Sequence, residues 1–129
     1  MKWFAGRPRI GLSIALVVAL AVAGCQSRPA GVSGSGEIVL GDMRFTPNRI
    51  DAKVGVPLTV RLINQGTERH DLNFEAIHMP GLGGVESILE PGETRTITLT
   101  FDQAGTHTFI CTLPGHAASG MTGAAFVVP

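Results

Sequence analysis

Three side chains that can bind a metal lie at equal spacing near the C-terminus. Cys111, His116 and Met121 follow one another at intervals of five residues. Cys111 ends an apolar run, and the Pro and Gly residues between the three positions allow a tight return of the chain. The segment therefore predicts a strand that leads into a compact loop, on which a thiolate, an imidazole and a thioether converge. His70, after a separate predicted strand, can supply a fourth ligand.

This set of two imidazoles, one thiolate and one thioether indicates copper. It is typical of a trigonal copper site with a long, weak axial thioether, whereas zinc prefers a closed tetrahedron of stronger donors. The sulfur ligands favour Cu(I) and the imidazoles also suit Cu(II), so one site can hold both oxidation states. The sequence predicts a single mononuclear copper bound by His70, Cys111, His116 and Met121.

Other interpretations of these residues are less favoured. Cys111 is the only cysteine after Cys25, and a lone thiol is inert, reactive or bound to a metal; its three matching neighbours favour the metal. His78 and His107 are predicted to be surface or hydrogen-bonded side chains. We find no Ser, His and Asp pattern for nucleophilic catalysis, and we expect no enzyme activity.

The elements that must position these ligands are short strands. From residue 37 onward, short runs alternate with Gly, Pro, Asn and Asp, without a sustained helical period. Apolar and polar residues alternate in the two clearest strands, Leu58 to Ile63 and Thr94 to Phe101. Further strands are predicted at 37–43, 50–54, 71–75, 106–111 and 123–128. About seven strands of this kind predict an all-β Greek-key sandwich, with a functional loop over 76–90.

The N-terminus has the pattern of an export signal. Lys2, Arg7 and Arg9 precede an uncharged apolar run from Ile10 to Ala23, which is short for a spanning helix. The four residues that end at Cys25, Val-Ala-Gly-Cys, resemble a bacterial lipobox, in which that cysteine is lipidated. An ordinary signal peptide cut nearby and an uncleaved anchor are the alternatives.

These features divide the chain into three parts. Residues 1–24 are predicted to be a lipoprotein signal peptide, and 25–36 the lipidated Cys25 with a flexible tether of small polar residues. Residues 37–129 are the predicted copper-binding domain. This domain contains ten acidic and six basic side chains, a formal net charge of −4, which makes nucleic acid an unexpected partner.

The loop from Cys111 to His116, Cys-Thr-Leu-Pro-Gly-His, followed by Met121, is similar to the ligand loop of cupredoxins, the type 1 blue copper proteins. The azurin, auracyanin and rusticyanin branch is nearest, and the resemblance extends over most of residues 37–129. It implies that His70, Cys111 and His116 are equatorial ligands and that Met121 is axial. It also implies that His116 is the electron port, the ligand whose ring approaches the surface. The apolar rim expected around this port is Leu113, Pro114, Gly115, Ala117 and Ala118, joined by Leu82.

The chain departs from this family in three respects. Asp71 stands where the family often has an Asn that ties the loops together behind the cysteine. His107 replaces a Tyr whose ring bonds the backbone, and the disulfide of azurin is absent. The segment 70–84 also resembles the copper domain of nitrite reductases, but those two-domain enzymes are longer, so we expect no catalysis of that kind.

The resemblance implies a type 1 copper protein that shuttles single electrons between redox protein partners. We expect a monomer that is exported to the cell envelope and held by its lipid on the membrane, facing the periplasm or the exterior. The alternative is an envelope copper carrier or copper-homeostasis protein with the same fold.

Overall fold

The structure, a computed structural model, describes residues 31–129, and in this range the chain forms nine β-strands and one 3-10 turn without an α-helix. The strands are β1 (Val32–Ser33), β2 (Ser35–Gly41), β3 (Arg44–Thr46), β4 (Arg49–Lys53), β5 (Leu58–Asn64), β6 (Asn73–Phe74), β7 (Thr94–Leu99), β8 (Gly105–Ile110) and β9 (Thr122–Val128). The 3-10 turn covers Val85–Ser87. Among these residues, no helix is long and apolar enough to cross a bilayer.

The strands form two mixed layers that face each other. One contains β3, β2, β5 and β7, and the other contains β6, β8, β9 and β4. β2 pairs in parallel with β5, and β4 with β9, whereas β5 with β7 and β8 with β9 are antiparallel. The short β1 pairs with both β2 and β4 and so joins the layers. These pairings confirm the predicted Greek-key sandwich, with two short strands, β1 and β3, that the sequence pattern did not reveal.

The core lies between the layers and follows the predicted alternation. In β5, Leu58, Val60 and Leu62 are buried while Thr59 and Arg61 are exposed, as expected for a strand with one wet face. The alternation predicted for β7 is confirmed in the same way. Four rings meet edge to face within the core: Phe45, Phe74, Phe101 and Phe109.

The strands begin earlier than the predicted start of the folded unit at Glu37. Val32 is buried in the core, and β1 lies beside β4, so part of the predicted tether belongs to the sandwich. The predicted signal peptide, residues 1–24, and the lipidation site Cys25 lie outside the described residues.

The connection between β5 and β7 also differs from its prediction. The strand expected over 71–75 is reduced to β6, and the Asp71 side chain before it accepts a hydrogen bond from the Thr112 N–H. The loop 76–90 contains the 3-10 turn and buries Met79, Leu82 and Leu89 against the core. This loop therefore closes one side of the sandwich.

Candidate metal centre

The predicted ligands come from three places at one end of the sandwich. His70 follows β5 after a turn, Cys111 directly follows β8, and His116 and Met121 lie in the loop that leads into β9. Two backbone bonds fix His70: its N–H donates to the Leu89 carbonyl at 3.1 Å, and the Leu89 N–H donates to the His70 carbonyl at 2.7 Å. The loop 76–90 thus holds the backbone of the first histidine in place.

The loop with the other ligands is closed by its own backbone. The Cys111 N–H donates to the Met121 carbonyl at 3.1 Å, and the Met121 N–H donates to the His116 carbonyl at 3.0 Å. Gly115 and Gly120 have φ values of 84° and 104°, which are strained for residues with a Cβ. The predicted tight return of the chain is therefore confirmed, and local bonds set its shape.

Three of the predicted ligands converge in the interior. The Nδ1 atoms of His70 and His116 are 3.2 Å apart, and the Cys111 Sγ is 3.4 Å from the His116 Nδ1. Their ligand atoms all lie within 4.8 Å of one another, and all three residues are buried. Met121 is fully buried in the same core cluster as Cys111. Copper ligation by these four side chains stays a prediction.

Both imidazoles present Nδ1 to the centre and Nε2 to a carboxylate. His70 Nε2 lies 3.5 Å from Asp42 Oδ1, and His116 Nε2 lies 3.1 Å from Glu68 Oε2. A proton on each Nε2 facing its carboxylate leaves the Nδ1 lone pair directed inward, which is the tautomer a metal ligand requires. The two carboxylates therefore orient the histidines for metal binding.

Asp42 is itself fixed by neighbouring groups. The Thr67 N–H donates to Asp42 Oδ1 at 2.8 Å, and the Thr67 hydroxyl donates to Oδ2 at 3.1 Å. The backbone bond from Thr67 is the main cause that lowers the pKa of Asp42 below its usual range, with smaller contributions from the Thr67 hydroxyl and His70. A Cβ at Gly66 would lie 2.7 Å from His70 Nε2, so a glycine is needed beside this pair.

A buried amide organises the turn before His70. Asn64 is fully buried, and its Nδ2 donates to the carbonyls of Glu68 at 2.8 Å and Leu89 at 2.9 Å. Its Oδ1 accepts from the Gly66 N–H at 2.9 Å. All polar atoms of this side chain are therefore paired, and the turn is joined to the loop that flanks His70.

Asp71 makes the connection that the resemblance implied for an Asn at this position. Its Oδ1 accepts from the Thr112 N–H at 2.6 Å, and its Oδ2 accepts from the Thr112 hydroxyl. The residue after the first histidine is thereby bonded to the residue after the cysteine. The departure noted in the sequence keeps the two ligand segments together but places a buried carboxyl group behind Cys111.

The environment of Cys111 disfavours a free thiolate. Burial raises the pKa of its thiol to about 11, and the Asp71 carboxylate contributes in the same direction through its charge, although backbone bonds oppose it. Without a metal the sulfur is therefore protonated at neutral pH. A metal that binds there must displace that proton.

The surroundings of His116 are more open than those of His70. His116 is 7% exposed and His70 is completely buried. A cavity of about 480 Å³ borders His116 and is also lined by Thr67, Glu68, Arg69, Glu90, Pro91, Leu113 and Pro114. Two of the expected apolar rim residues, Leu113 and Pro114, are present in this lining. The suggestion that Leu82 joins the rim is wrong, because its side chain is buried in the core.

The remaining histidines lie elsewhere in the fold. His107 Nε2 is 3.0 Å from the Gln103 carbonyl oxygen, and its ring stacks on Phe101 with 5.5 Å between centroids. The imidazole therefore makes a ring-to-backbone bond of the kind expected from the Tyr that it replaces. His78 is exposed, and neither histidine belongs to the metal-ligand cluster found among residues 31–129.

Sequence reasoning missed Asp42, Asn64 and Gly66. The only local signal for Asn64 and Gly66 is the run Asn, Gln and Gly that begins at the last residue of β5. Asp42 has no local signal because it lies 28 residues before His70. Glu68 stands two positions before His70 in the sequence, but its contact with His116 is visible only in the structure.

The residues present fit copper better than zinc. Two imidazole nitrogens and one thiol sulfur converge in a buried space, with a buried thioether in the adjoining loop. This donor set is the one found in trigonal copper sites with a weak axial ligand, whereas a closed zinc site would need a fourth strong donor.

Comparisons with known proteins agree with this chemistry. A model of the cupredoxin-like domain matches residues 12–122. The copper-resistant cuproprotein CopI of Pseudomonas aeruginosa is 28% identical over 149 aligned positions, which cover 82% of each chain. A copper-containing nitrite reductase of Rhizobium meliloti is 31% identical over 78 residues, which are 57% of this chain and 21% of the reductase.

Solved structures of copper proteins are also similar to this chain. Dithionite-reduced auracyanin from Roseiflexus castenholzii superimposes with a TM-score of 0.64 and 26% identity, over 77% of this chain and 100% of auracyanin. The cofactor is one copper ion, and the chain belongs to the cupredoxin-like family.

Proposed function

We propose that this chain is a type 1 copper electron carrier, with His70, Cys111 and His116 as equatorial ligands and Met121 as the axial ligand. The observation that carries the proposal is the convergence of two Nδ1 atoms and one Sγ at 3.2 and 3.4 Å in a buried space. A bound copper ion would supply a one-electron couple at this position.

The residues around the centre support electron transfer because they restrict movement. Backbone bonds hold His70 to Leu89 and Cys111 to Met121, and Asp71 ties the two ligand segments. A site whose ligands are fixed changes little in geometry when an electron arrives. His116, which borders the surface cavity, is the port through which we expect electrons to pass.

The test is a visible absorption spectrum of the full chain loaded with Cu(II), with Cys111→Ser as the matched variant. We expect an intense thiolate-to-copper charge-transfer band that ascorbate bleaches and an oxidant restores. The band should be absent in Cys111→Ser and nearly unchanged in Thr108→Ser, an exposed change on the same strand. A folded, copper-loaded chain without the band would contradict the proposal.

A copper carrier or copper-homeostasis protein is the second candidate. It is favoured by one observation, the 28% identity to a protein described as a copper-resistant cuproprotein. The burial of Cys111 and His70 argues for slow copper release instead. Transfer of Cu(I) to a competing chelator distinguishes the two: exchange over hours favours the electron carrier, and exchange within seconds favours copper delivery.

We propose further that the chain is an exported lipoprotein of the cell envelope, held through Cys25, and that it acts as a monomer without enzyme activity of its own. Its partners would be redox proteins that dock near His116, and nucleic acid is not expected among them. Expression with the natural leader in a bacterial host, followed by mass analysis of the mature N-terminus, tests the anchor. Cys25→Ala should abolish lipid attachment while leaving the visible spectrum unchanged.

A further inference from the structure

An apolar cleft lies on the flank formed by β4 and β9. Val56, Phe126 and Val128 line it and are 52%, 37% and 51% exposed. Among residues 31–129 only one other large apolar side chain, Val85, is comparably exposed. The cleft has a volume of about 600 Å³. It lies toward the end of β9 remote from Met121, since seven strand residues extend about 20 Å.

Charge also distinguishes this flank from the rest of the domain. The Arg49 guanidinium lies 3.9 Å from the centre of the Phe126 ring and pairs with Asp51 at 2.5 Å. Lys53 lines the same cleft. The three charged residues give the cleft a formal charge of +1, whereas the other charged residues from 37 onward sum to −5. An anionic surface would attract this flank and repel the rest of the domain.

The N-terminal segment joins the sandwich beside this cleft. Ser33 and Gly34 line it, and a Cβ at Gly31 would stand 2.6 Å from Asp51 Oδ2. Only residues 26–30 separate Gly31 from Cys25. A connection of six residue steps reaches at most about 20 Å, so a lipid on Cys25 would keep the bilayer close to this flank.

We propose that this cleft is a membrane-contact surface that rests on an anionic phospholipid bilayer and keeps the His116 end accessible to redox partners. Val56, Phe126 and Val128 enter the headgroup region, and Lys53 faces lipid phosphates. The inference rests on the proposed lipid anchor and adds a defined orientation to it.

The experiment uses the full chain, processed from its own leader and reconstituted into vesicles. Phe126→Trp introduces a fluorophore into the cleft, and Val85→Trp is the matched control outside it. The only natural tryptophan, Trp3, lies in the predicted signal peptide and is removed on processing, so each mature variant contains one tryptophan. Brominated phospholipids should quench the cleft fluorophore about threefold more than the control, because apolar interfacial side chains sit about 5–10 Å into the bilayer boundary.

Charge variants identify the lipid. In the Phe126→Trp background, Lys53→Glu should weaken quenching in phosphatidylglycerol vesicles, whereas Arg44→Glu, the same charge change on β3, should not. Equal quenching of the two fluorophores would overturn the proposal. Quenching of the cleft fluorophore that is as strong in vesicles of phosphatidylcholine alone as in phosphatidylglycerol vesicles would also overturn it. A dimer in detergent that Phe126→Asp dissociates would assign the cleft to a second copy.

The visible spectrum of each sample separates this inference from the electron-carrier proposal. A retained charge-transfer band without cleft quenching contradicts only the membrane contact. A chain that does not sediment with vesicles contradicts both the lipid anchor and the contact.

Discussion

The two histidine sides of the metal centre have the same ligand chemistry but different surroundings. On the His70 side, the imidazole is fully buried, and its carboxylate partner Asp42 is held by two bonds from Thr67. On the His116 side, the ring borders a cavity and faces Glu68, whose side chain is 56% exposed. The His70 side is therefore closed and held by several hydrogen bonds, whereas the His116 side is open to the exterior.

The largest expected effect comes from a substitution of Asn64, which organises the turn on the His70 side. Asn64→Ala removes three hydrogen bonds, two of which join the turn to the carbonyls of Glu68 and Leu89, so the free energy of unfolding should fall by about 3 kcal/mol. Urea denaturation measures it, with the exposed Asn48→Ala as the control. Equal losses in both variants would show that the turn before His70 is not specially held.

The burial of Cys111 beside the two histidines predicts that the stability of the metal-free protein depends on pH. Its pKa is raised from 9.0 to about 11, so the folded metal-free protein binds more protons than the unfolded chain within this window. Stability is therefore complete below pH 9 and should fall by about 2–3 kcal/mol as the pH rises through this window. Denaturation of metal-free protein at several pH values measures the slope, and Cys111→Ser should remove it. A slope unchanged by that substitution would assign the dependence to other groups.

Replacing the Asp42 carboxylate beside His70 should weaken metal binding. Asp42→Asn keeps an oxygen near His70 but removes the charge that orients it, so copper affinity should fall about tenfold or more. Competition with a chelator measures the affinity. Asp102→Asn, an exposed change away from the site, should leave the affinity unchanged. If both variants bind copper like the original chain, Asp42 does not position His70.

The smallest effect is expected on the open side. Glu68→Gln removes an exposed charge beside His116, so the reduction potential should rise by an amount equivalent to less than about 1 kcal/mol. The rise should diminish at high salt because solvent ions screen exposed charges. Voltammetry at low and high salt tests this. A larger change that is independent of salt would mean that Glu68 is as firmly fixed as Asp42, and the comparison of the two sides would no longer hold.

Much of the fold could be predicted because its information is local. Alternation of buried and exposed residues in β5 and β7 follows from the two-residue repeat of a strand. β1 and β3 were missed because two or three residues cannot display that repeat. The strand predicted over 71–75 is only two residues long, Asn73–Phe74, and the bond from the Thr112 N–H to Asp71, which joins positions 41 residues apart, has no local signal.

The candidate ligands could be identified from the sequence alone, since Cys111, His116 and Met121 belong to one loop whose glycines and backbone bonds shape it locally. The groups that surround them depend on the tertiary structure. Asp42 reaches His70 across 28 positions, and Asn64 reaches Leu89 across 25. No periodicity encodes such contacts, because they arise only when separate strands and loops pack at one end of the sandwich.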